Sequence, residues 1–166
     1  MKYNVDNFEC EDIFEVSNDL MFTKLNDDAV EPIKATTGSA GFDLCANKDV
    51  TIEPNKTVMV GTGISVEIPA GYFGGLFARS GLATKRGIRL ANSVGVIDSD
   101  YRGEVIVALH NDSDIEQTIS NGERIAQLII IPYLNCSAKQ ANTLSETERG
   151  SNGFGSTGRM GVKEHV

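Results

Sequence analysis

Two aspartates near the middle of the sequence are candidates for acid–base chemistry. Asp98 and Asp100 flank Ser99 at the end of a predicted strand over residues 92–97. Because alternate residues of a strand share a face, both carboxylates could point the same way. A carboxylate in that position can accept a proton from a water molecule that attacks a phosphorus atom made electrophilic by a metal ion and an arginine. The alternative is a hairpin tip with solvated acids, and the two residues alone leave both open.

A second candidate is the tripeptide Arg79-Ser80-Gly81. It brings a cation, a hydroxyl group and exposed backbone N–H groups to a predicted junction between a strand and a helix. The start of a helix attracts negative charge, so the tripeptide predicts an anion-binding site, although many such tripeptides are only turns. The GxxxxGK[ST] phosphate loop is absent, and neither histidine lies beside a nucleophilic serine motif. Those two chemistries are therefore excluded.

The C-terminal end has a composition unlike the rest of the chain. Residues 149–161 hold five glycines, with Ser151, Asn152, Ser156 and Thr157 among them. Such a segment cannot bury enough apolar surface to order itself, which is typical of a disordered tail. The alternative is a flap that becomes ordered over a ligand, because glycines let backbone N–H groups wrap around phosphates.

Short strands and turns must position these residues. Residues 64–68 alternate apolar and polar side chains, which is the period of a half-buried strand. Residues 105–109 and 128–131 are β-branched runs bounded by glycine or polar clusters. The best helix candidate begins near Ser80 and stops at Gly87. With 17 glycines over this pattern, the sequence predicts an all-β fold, a jelly-roll-like β-barrel or sandwich with one short helix.

Composition limits the location and the partners. The 166 residues fit one domain, and no run approaches the roughly 18 apolar residues that span a bilayer. The net charge is −8, and residues 1–20 supply −5 of it (six acids minus Lys2), so we expect neither nucleic acid nor a membrane as a partner. This acidic start is unlike a targeting peptide, which predicts a cytoplasmic location. Cys10, Cys45 and Cys136 form no CxxC pair, and inert thiols are expected.

Five segments in order resemble the five motifs of the trimeric dUTPase family, over residues 22–158. The first two are Ala40-Gly41-Phe42-Asp43-Leu44 and Ala78-Arg79-Ser80-Gly81-Leu82-Ala83. The third is Asn92 with residues 95–103, the fourth is residues 122–128, and the fifth is residues 149–158. Five motifs in the right order are far more specific than any one of them.

The resemblance implies a role for each motif. Asp98 is the expected general base, and Asp43 is expected to help bind Mg²⁺ through a coordinated water. Arg124 is expected to stabilise the fold, and for Arg79 a role at a subunit interface or in bracing its loop stays open. The residues implied in substrate binding are Arg79, Ser80, Gly81, Asn92, Gly95, Val96, Ile97, Asp98, Tyr101, Gln127, Arg149, Phe154, Gly155, Ser156 and Thr157.

The resemblance also implies an activity. In the family the third motif binds the edge of uracil and leaves no room for a 5-methyl group, and Tyr101 would lie under the deoxyribose and exclude a 2′-hydroxyl. A buried site that hydrogen-bonds one base edge rejects bases that leave its groups unpaired. We therefore expect hydrolysis of dUTP at the α-phosphate to dUMP and pyrophosphate, which supplies dUMP for thymidylate synthesis. Mg²⁺ is the expected cofactor, and the expected assembly is a homotrimer with shared active sites.

Two other functions occur on the same scaffold as alternatives. A dCTP deaminase would have the same fold, but that family carries a catalytic Glu where this chain has Ala108 and usually a second Ser where it has Gly81. A regulatory protein on the same scaffold could use its acidic N-terminal extension to bind a protein partner, and the alternative for this extension is a solvated arm without a partner. The sequence predicts three parts: the acidic extension (1–20), the β domain (21–136) and a C-terminal arm with the flap motif (137–166). A viral chain would act in the cytoplasm or nucleus of its host.

Overall fold

The structure is a computed structural model that describes residues 19–153, in which eleven strands and one helix form. The acidic extension up to residue 18 and the predicted flap residues Phe154, Gly155, Ser156 and Thr157 lie outside the described residues. The strands are β1 (Met21–Lys24), β2 (Phe42–Cys45), β3 (Val50–Ile52), β4 (Thr57–Gly61), β5 (Ile64–Glu67), β6 (Tyr72–Ala78), β7 (Ile88–Leu90), β8 (Gly95–Ile97), β9 (Ile106–Asn111), β10 (Gln117–Ile119) and β11 (Arg124–Pro132), and the helix is α1 (Ser80–Arg86).

All the strand pairs are antiparallel. The largest sheet has the order β2-β11-β6-β8, a three-stranded sheet has the order β4-β9-β7, and the pairs β1-β5 and β10-β3 complete the set. The predicted all-β, jelly-roll-like fold with one short helix is confirmed. Between residues 19 and 153 there is no helix with the length and apolarity that crossing a bilayer requires.

Apolar side chains from both larger sheets and both strand pairs form one buried core. Burying each of them stabilises the fold by roughly 1.5–3 kcal/mol before the entropy of ordering is subtracted. The largest side chains with almost no exposure are Leu44, Ile52, Ile64, Ile88, Leu90, Leu109, Ile119, Ile125, Leu128, Val60, Val105 and Val107.

The chain divides into two compact units, Met1–Asn135 and Cys136–Val166. All the described strands belong to the first unit. In the second unit, residues 136–153 are exposed and contain neither a strand nor a helix.

The predicted strands at residues 64–68, 105–109 and 128–131 are confirmed as β5, β9 and β11. In β9, the residues that face the core alternate with residues that do not, as a half-buried strand requires. The predicted helix is also confirmed. It ends where Gly87 adopts a left-handed φ of 66°, a conformation that glycine enters without a steric penalty.

The strand predicted over residues 92–97 is wrong at its start. β8 covers only Gly95–Ile97, because the preceding residues form a turn in which Ser93 has a φ of 62°. A side-chain-bearing residue with positive φ is incompatible with a continuous strand. The chain turns again directly after β8. Strand alternation therefore stops before Asp98 and Asp100, and it gives no reason for their carboxylates to share a face.

The last residue of β9, Asn111, connects the end of its sheet to strand β3 and to the loop that follows β9. Its side chain is fully buried, and its amide nitrogen donates to the carbonyls of Ile52 at 2.9 Å and Ile115 at 2.8 Å. Its amide oxygen accepts from the N–H of Ser113 at 2.9 Å and from the hydroxyl of the same residue at 2.7 Å. This one side chain therefore bonds to two segments of the chain, the end of β3 and the loop that follows β9.

We expect Asn111→Ala to lower the free energy of unfolding by about 2–4 kcal/mol, because it removes four hydrogen bonds of a fully buried side chain. Denaturant unfolding of the two proteins measures the difference. Ser113→Ala is the control, since it removes one of the same bonds together with the longer contacts of its part-exposed hydroxyl to Ile115 and Gln117, and it should cost about 1 kcal/mol. Equal losses for the two variants would show that the buried amide has no special role.

Candidate active site

Three separate segments of the chain meet at one cavity, which we call the arginine cavity. Its volume is about 200 Å³. It brings together five of the residues that the sequence predicts for the site: Asp43, Arg79, Ser80, Gly81 and Gln127. Four further residues complete the lining: Ala35, Ser39, Gly41 and Arg124.

The pairing of β2 with β11 positions the acid and the amide of the arginine cavity. Asp43 and Gln127 are register partners across these strands. Just before β2, Gly41 is buried against β11: a Cβ there would lie 3.0 Å from Cγ1 of Ile129 and 3.2 Å from the Leu128 carbonyl oxygen. The first motif therefore needs glycine at this position so that the two strands can approach closely.

A β-bulge brings Arg124 to the cavity. In a regular strand, residues three positions apart face opposite sides, so Arg124 and Gln127 would point away from each other. The register of β11 against β2 shifts between Arg124 and Ala126, and both Arg124 and Gln127 line the cavity. An extra residue of this kind re-aims side chains, as bulges beside functional sites commonly do.

The electrostatics of the cavity centre on Asp43, which is 7% exposed. One carboxylate oxygen accepts from Nη1 of Arg79, and the other accepts from Nη1 of Arg124 at 3.0 Å. These three charges leave the cavity with a net charge of +1.

Burial raises the pKa of the nearby Cys45 thiol and the Asp43 charge raises it further, against smaller opposing effects of Arg124 and Arg79. Cys45 is therefore expected to stay a protonated, unreactive thiol.

The start of α1 contributes backbone donors to the cavity. Arg79 has extended φ and ψ of −84° and 127° and caps the helix without a side-chain hydrogen bond. The first N–H groups of a helix have no partner within it, and Ser80 and Gly81 are exposed at this position. With two guanidinium groups and the hydroxyls of Ser39 and Ser80 close by, the cavity suits an anion with several oxygen atoms.

A metal ion held by protein atoms alone does not fit this cavity. Among the described residues that line it, Asp43 is the only acid, and each of its oxygens already accepts a hydrogen bond from an arginine. Across residues 19–153, no group of three or more His, Cys, Asp or Glu residues could hold a metal ion. Mg²⁺ usually keeps several waters and binds through one or two carboxylates together with substrate phosphates. The lining therefore fits a metal ion only where a ligand's phosphates supply most of the oxygen atoms around it.

The third predicted motif forms a different surface, which we call the edge segment, residues 92–101. Its strand β8 is the last strand of the four-stranded sheet and pairs only with β6 among the described strands. The outer side of an edge strand presents backbone N–H and C=O groups without strand partners. Apolar side chains are also exposed here: Val96 is 61% exposed and Tyr101 is 43% exposed.

Hydrogen bonds shape both ends of the edge segment. The N–H of Val94 donates to the Asn92 carbonyl at 2.6 Å, and the N–H of Tyr101 donates to the Asp98 carbonyl at 3.1 Å. The Tyr101 hydroxyl donates to the carbonyl of Glu104 at 3.0 Å, which holds the ring over Gly103. A Cβ at Gly103 would lie 3.0 Å from Cε2 of Tyr101 and closer still to its hydroxyl end, so a larger residue would displace the ring.

Within one chain, the end of β8 that leads to Asp98 lies well away from the arginine cavity. Ile97 on β8 is opposite Gly74 on β6, whereas Arg79 lies five residues beyond Gly74. At about 3.4 Å per residue, this is a separation of about 17 Å along the strand. Asp98 follows Ile97 and therefore lies towards the opposite end of β6 from the cavity. The predicted site residues of the first unit thus form two groups.

The remaining predicted residues belong to the C-terminal unit. Arg149 is exposed and accepts, through its backbone carbonyl, a 3.1 Å bond from the N–H of Asn152. Phe154, Gly155, Ser156 and Thr157 lie outside the described residues.

Two residues of the cavity were missed by the sequence analysis or given another role. Arg124 was assigned to the fold, because strand alternation hides its approach to Gln127. Ser39 was not considered, although its hydroxyl lies next to the first motif and bonds to Thr36, at 3.1 Å from the N–H and 3.0 Å from the hydroxyl. The signal that could have identified Ser39 is a hydroxyl residue directly before Ala40-Gly41.

The fold and the site define a class: an antiparallel all-β protein with an arginine-lined anion cavity and an exposed edge strand. A family model described as dUTPase matches residues 27–158. The deoxyuridine 5′-triphosphate nucleotidohydrolase of Hydrogenobaculum sp. is 49% identical over 140 residues, which are 84% of this chain and 97% of that relative. The chain belongs to the dUTPase family.

Solved dUTPase structures have the same fold. The dUTPase of Staphylococcus bacteriophage 80alpha, solved with dUPNHPP, is 30% identical with a TM-score of 0.81, and the match covers 86% of this chain and 100% of that one. A mutant dUTPase of phage phi11 of S. aureus, described with a coordinated structural Mg(II) ion, is 26% identical with a TM-score of 0.70. That match covers 76% of this chain and 98% of the phage chain.

Proposed function

We propose that this chain hydrolyses dUTP to dUMP and pyrophosphate by attack of water on the α-phosphate. The observation that carries the proposal is the arginine cavity, which joins three of the five family motifs around a buried carboxylate. Its volume of about 200 Å³ is below the range of about 300–1,000 Å³ that encloses a drug-sized ligand. The cavity thus has room for part of a nucleotide, and its charge favours the phosphates.

The phosphates are assigned to the arginine cavity. Arg79 and Arg124 would supply charge-assisted hydrogen bonds, which are about twice as strong as neutral ones. Ser80, the N–H of Gly81 and the amide of Gln127 would bind further phosphate oxygens. The backbone of these residues belongs to strands and a helix start, and donors on such a preformed backbone favour electrostatic stabilisation of the transition state.

The uracil and the sugar are assigned to the edge segment. The base would pair with backbone groups of Gly95, Val96 and Ile97 on the free side of β8, and with the amide of Asn92. Cytosine has a donor where uracil has an acceptor, so it would leave groups of the site unpaired. The Tyr101 ring, held by its bond to Glu104, would lie under the deoxyribose and leave no space for a 2′-hydroxyl.

Asp98 is the proposed general base. Its side chain is exposed directly after the edge strand, where a water molecule can reach it. It would take a proton from that water as the water attacks the α-phosphorus, in line with the departing pyrophosphate. Arg79 and Arg124 would stabilise the charge that develops on the phosphate oxygens.

Each active site is proposed to combine residues from different copies of the chain in a homotrimer. The support is the distance of about 17 Å between Arg79 and Ile97, which keeps Asp98 of one chain away from phosphates bound in its own cavity. The exposed side chains of Val96 and Tyr101 suit a surface that another copy covers. A neighbouring chain would bring its Asp98 to this cavity.

Mg²⁺ is proposed to arrive on the triphosphate, with Asp43 reaching it only through water. When bound, the ion neutralises phosphate charge and favours loss of pyrophosphate.

The C-terminal arm, residues 137–166, is proposed to close over the site: Arg149, Ser156 and Thr157 would contact phosphates, and Phe154 and Gly155 would cover the base. Residues 21–136 are the proposed catalytic domain. A cytoplasmic location completes the proposal, and the acidic residues 1–20 are proposed to be a solvated extension that catalysis does not need.

A nucleotide panel with product identification tests this function. We expect dUTP to be hydrolysed to dUMP and pyrophosphate with strong preference over dTTP, dCTP and UTP, and activity to require Mg²⁺. The panel also tests deamination, because ammonia release from dCTP would identify a deaminase. We expect none, since Ala108 of β9 has no acid–base group where a catalytic Glu is needed. Equal rates with all four nucleotides would contradict the assignment of the base to the edge segment.

A further inference from the structure

Asp43 has a property that binding a metal through water does not require: its two oxygens hold two arginines from different parts of the chain. Arg79 follows β6 and Arg124 begins β11, so the carboxylate of β2 links three strands. Only Nη1 of each guanidinium is used by a partner among the described residues. An arginine has five N–H donors, so most of the donors on both groups remain for a ligand.

Two guanidinium groups that face one cavity repel each other unless something holds them. A buried carboxylate between them lowers that repulsion and fixes the direction of both planar groups, whose side chains would otherwise have considerable rotamer freedom. Arg124 needs this support most, because its side chain is 47% exposed, whereas that of Arg79 is 24% exposed. The cost of burying Asp43 is offset because both oxygens are bonded.

We propose that Asp43 is a positioning residue that holds Arg79 and Arg124 in the orientation that binds phosphate, and that it does so without a metal ion. This inference rests on the proposed function, since it assigns phosphates to the arginine cavity. It deepens that function by giving the one buried acid of the cavity a task in the free protein.

The direction in which one substitution changes the affinity for an anion distinguishes this role from a simple effect of charge. Asp43→Asn removes a negative charge and changes the net charge of the cavity from +1 to +2. If charge alone decided binding, an anion would bind more tightly to the variant. If Asp43 orients the arginines, an anion binds more weakly, because the amide offers one acceptor oxygen and its NH₂ group repels the second guanidinium.

The experiment is calorimetric titration of the full chain with inorganic pyrophosphate in EDTA. We expect Asp43→Asn to raise the Kd about 10-fold. Asp112→Asn is the matched control: Asp112 also accepts two bonds from one arginine, Arg89, but it lies after β9 and outside the cavity lining. That control should leave the Kd unchanged. An unchanged or lower Kd for Asp43→Asn would overturn the proposal.

A double-mutant cycle adds a second readout. Arg124→Gln should raise the Kd, but adding it to Asp43→Asn should cost less than it does in the parent, because the single amide oxygen can still hold Arg79. Strictly additive effects would count against a shared carboxylate. Weaker binding, non-additivity and unchanged binding in the control together support the role of Asp43.

If Asp43→Asn does not fold, arginine side-chain NMR on the free parent protein tests the same idea. Arg79 and Arg124 should show slowed guanidinium rotation without any ligand, and rapid averaging of both would overturn the proposal. A different result would refute the proposed function without refuting the role of Asp43. A parent protein that binds pyrophosphate and shows these restrained arginines, but leaves dUTP intact, would refute the hydrolase assignment and leave the role of Asp43 standing.

Discussion

Asp98→Asn is expected to lower kcat for dUTP by about 10²–10⁴-fold, the usual contribution of a general base. The amide has nearly the same size as the carboxylate but cannot take a proton from the attacking water. Asp98 is exposed and makes no described side-chain hydrogen bond, so the fold should be unaffected. We expect KM to change little, because the phosphates and the base have other partners. Steady-state kinetics with pyrophosphate detection measures both constants.

Asp100→Asn is the matched control for this substitution. Asp100 is also exposed, lies two residues further along the same turn, and carries the same charge. Loss of its charge should therefore change the rate by less than about 10-fold, the effect expected from a screened surface charge. Parent-like rates for Asp98→Asn, or a larger loss for Asp100→Asn, would show that Asp98 is not the base.

Mixed oligomers of two inactive variants are expected to regain activity. Asp98→Asn removes the general base from the edge segment and leaves the arginine cavity unchanged. Arg79→Ala removes a phosphate-binding group from the cavity and leaves the edge segment unchanged. If each site takes these two parts from different chains, random mixing gives both intact parts to about a quarter of the sites. Because each variant alone should retain about 1% or less of the parent rate, the recovery would be large.

Co-expression with two affinity tags yields the mixed oligomers, and kcat per active chain measures the recovery. The control replaces the Arg79→Ala chain with a chain that carries both substitutions, so that no site can contain two intact parts. We expect no recovery in that control. If the mixture of single variants also stays inactive, each chain carries its own complete site and the shared arrangement is wrong.

Local patterns predicted much of the fold. β5 shows in the sequence the alternation of apolar and polar residues that predicts a strand, and β9 is recognisable as a β-branched run. Gly87 marks the end of α1 because glycine adopts a left-handed φ there without strain. The same reasoning failed at Ser93, whose positive φ shortens β8, because a serine gives no signal of a left-handed turn. The hydrogen bonds of this turn run from the N–H of Ser93 to the Leu90 carbonyl and from the N–H of Val94 to the Asn92 carbonyl, and apolar periodicity gives no sign of them.

The candidate site was predictable as a set of residues but not as an arrangement. Ordered motifs identified Asp43, Arg79 and Gln127, which do meet in one cavity. The part played by Arg124 depends on a bulge in β11, and a bulge reverses the alternation on which sequence reasoning relies. The distance between Arg79 and Ile97 follows from strand register, which is a long-range property of the folded chain.

The structure of this chain with a non-hydrolysable dUTP analogue and Mg²⁺ would test most directly how the two groups of residues act together. We predict the uracil on the edge segment of one copy, and the phosphates in the arginine cavity of another. Asp98 should face a water molecule in line with the α-phosphorus. A nucleotide bound with its base away from residues 92–101, or Asp98 directed away from that phosphorus, would contradict the proposed mechanism.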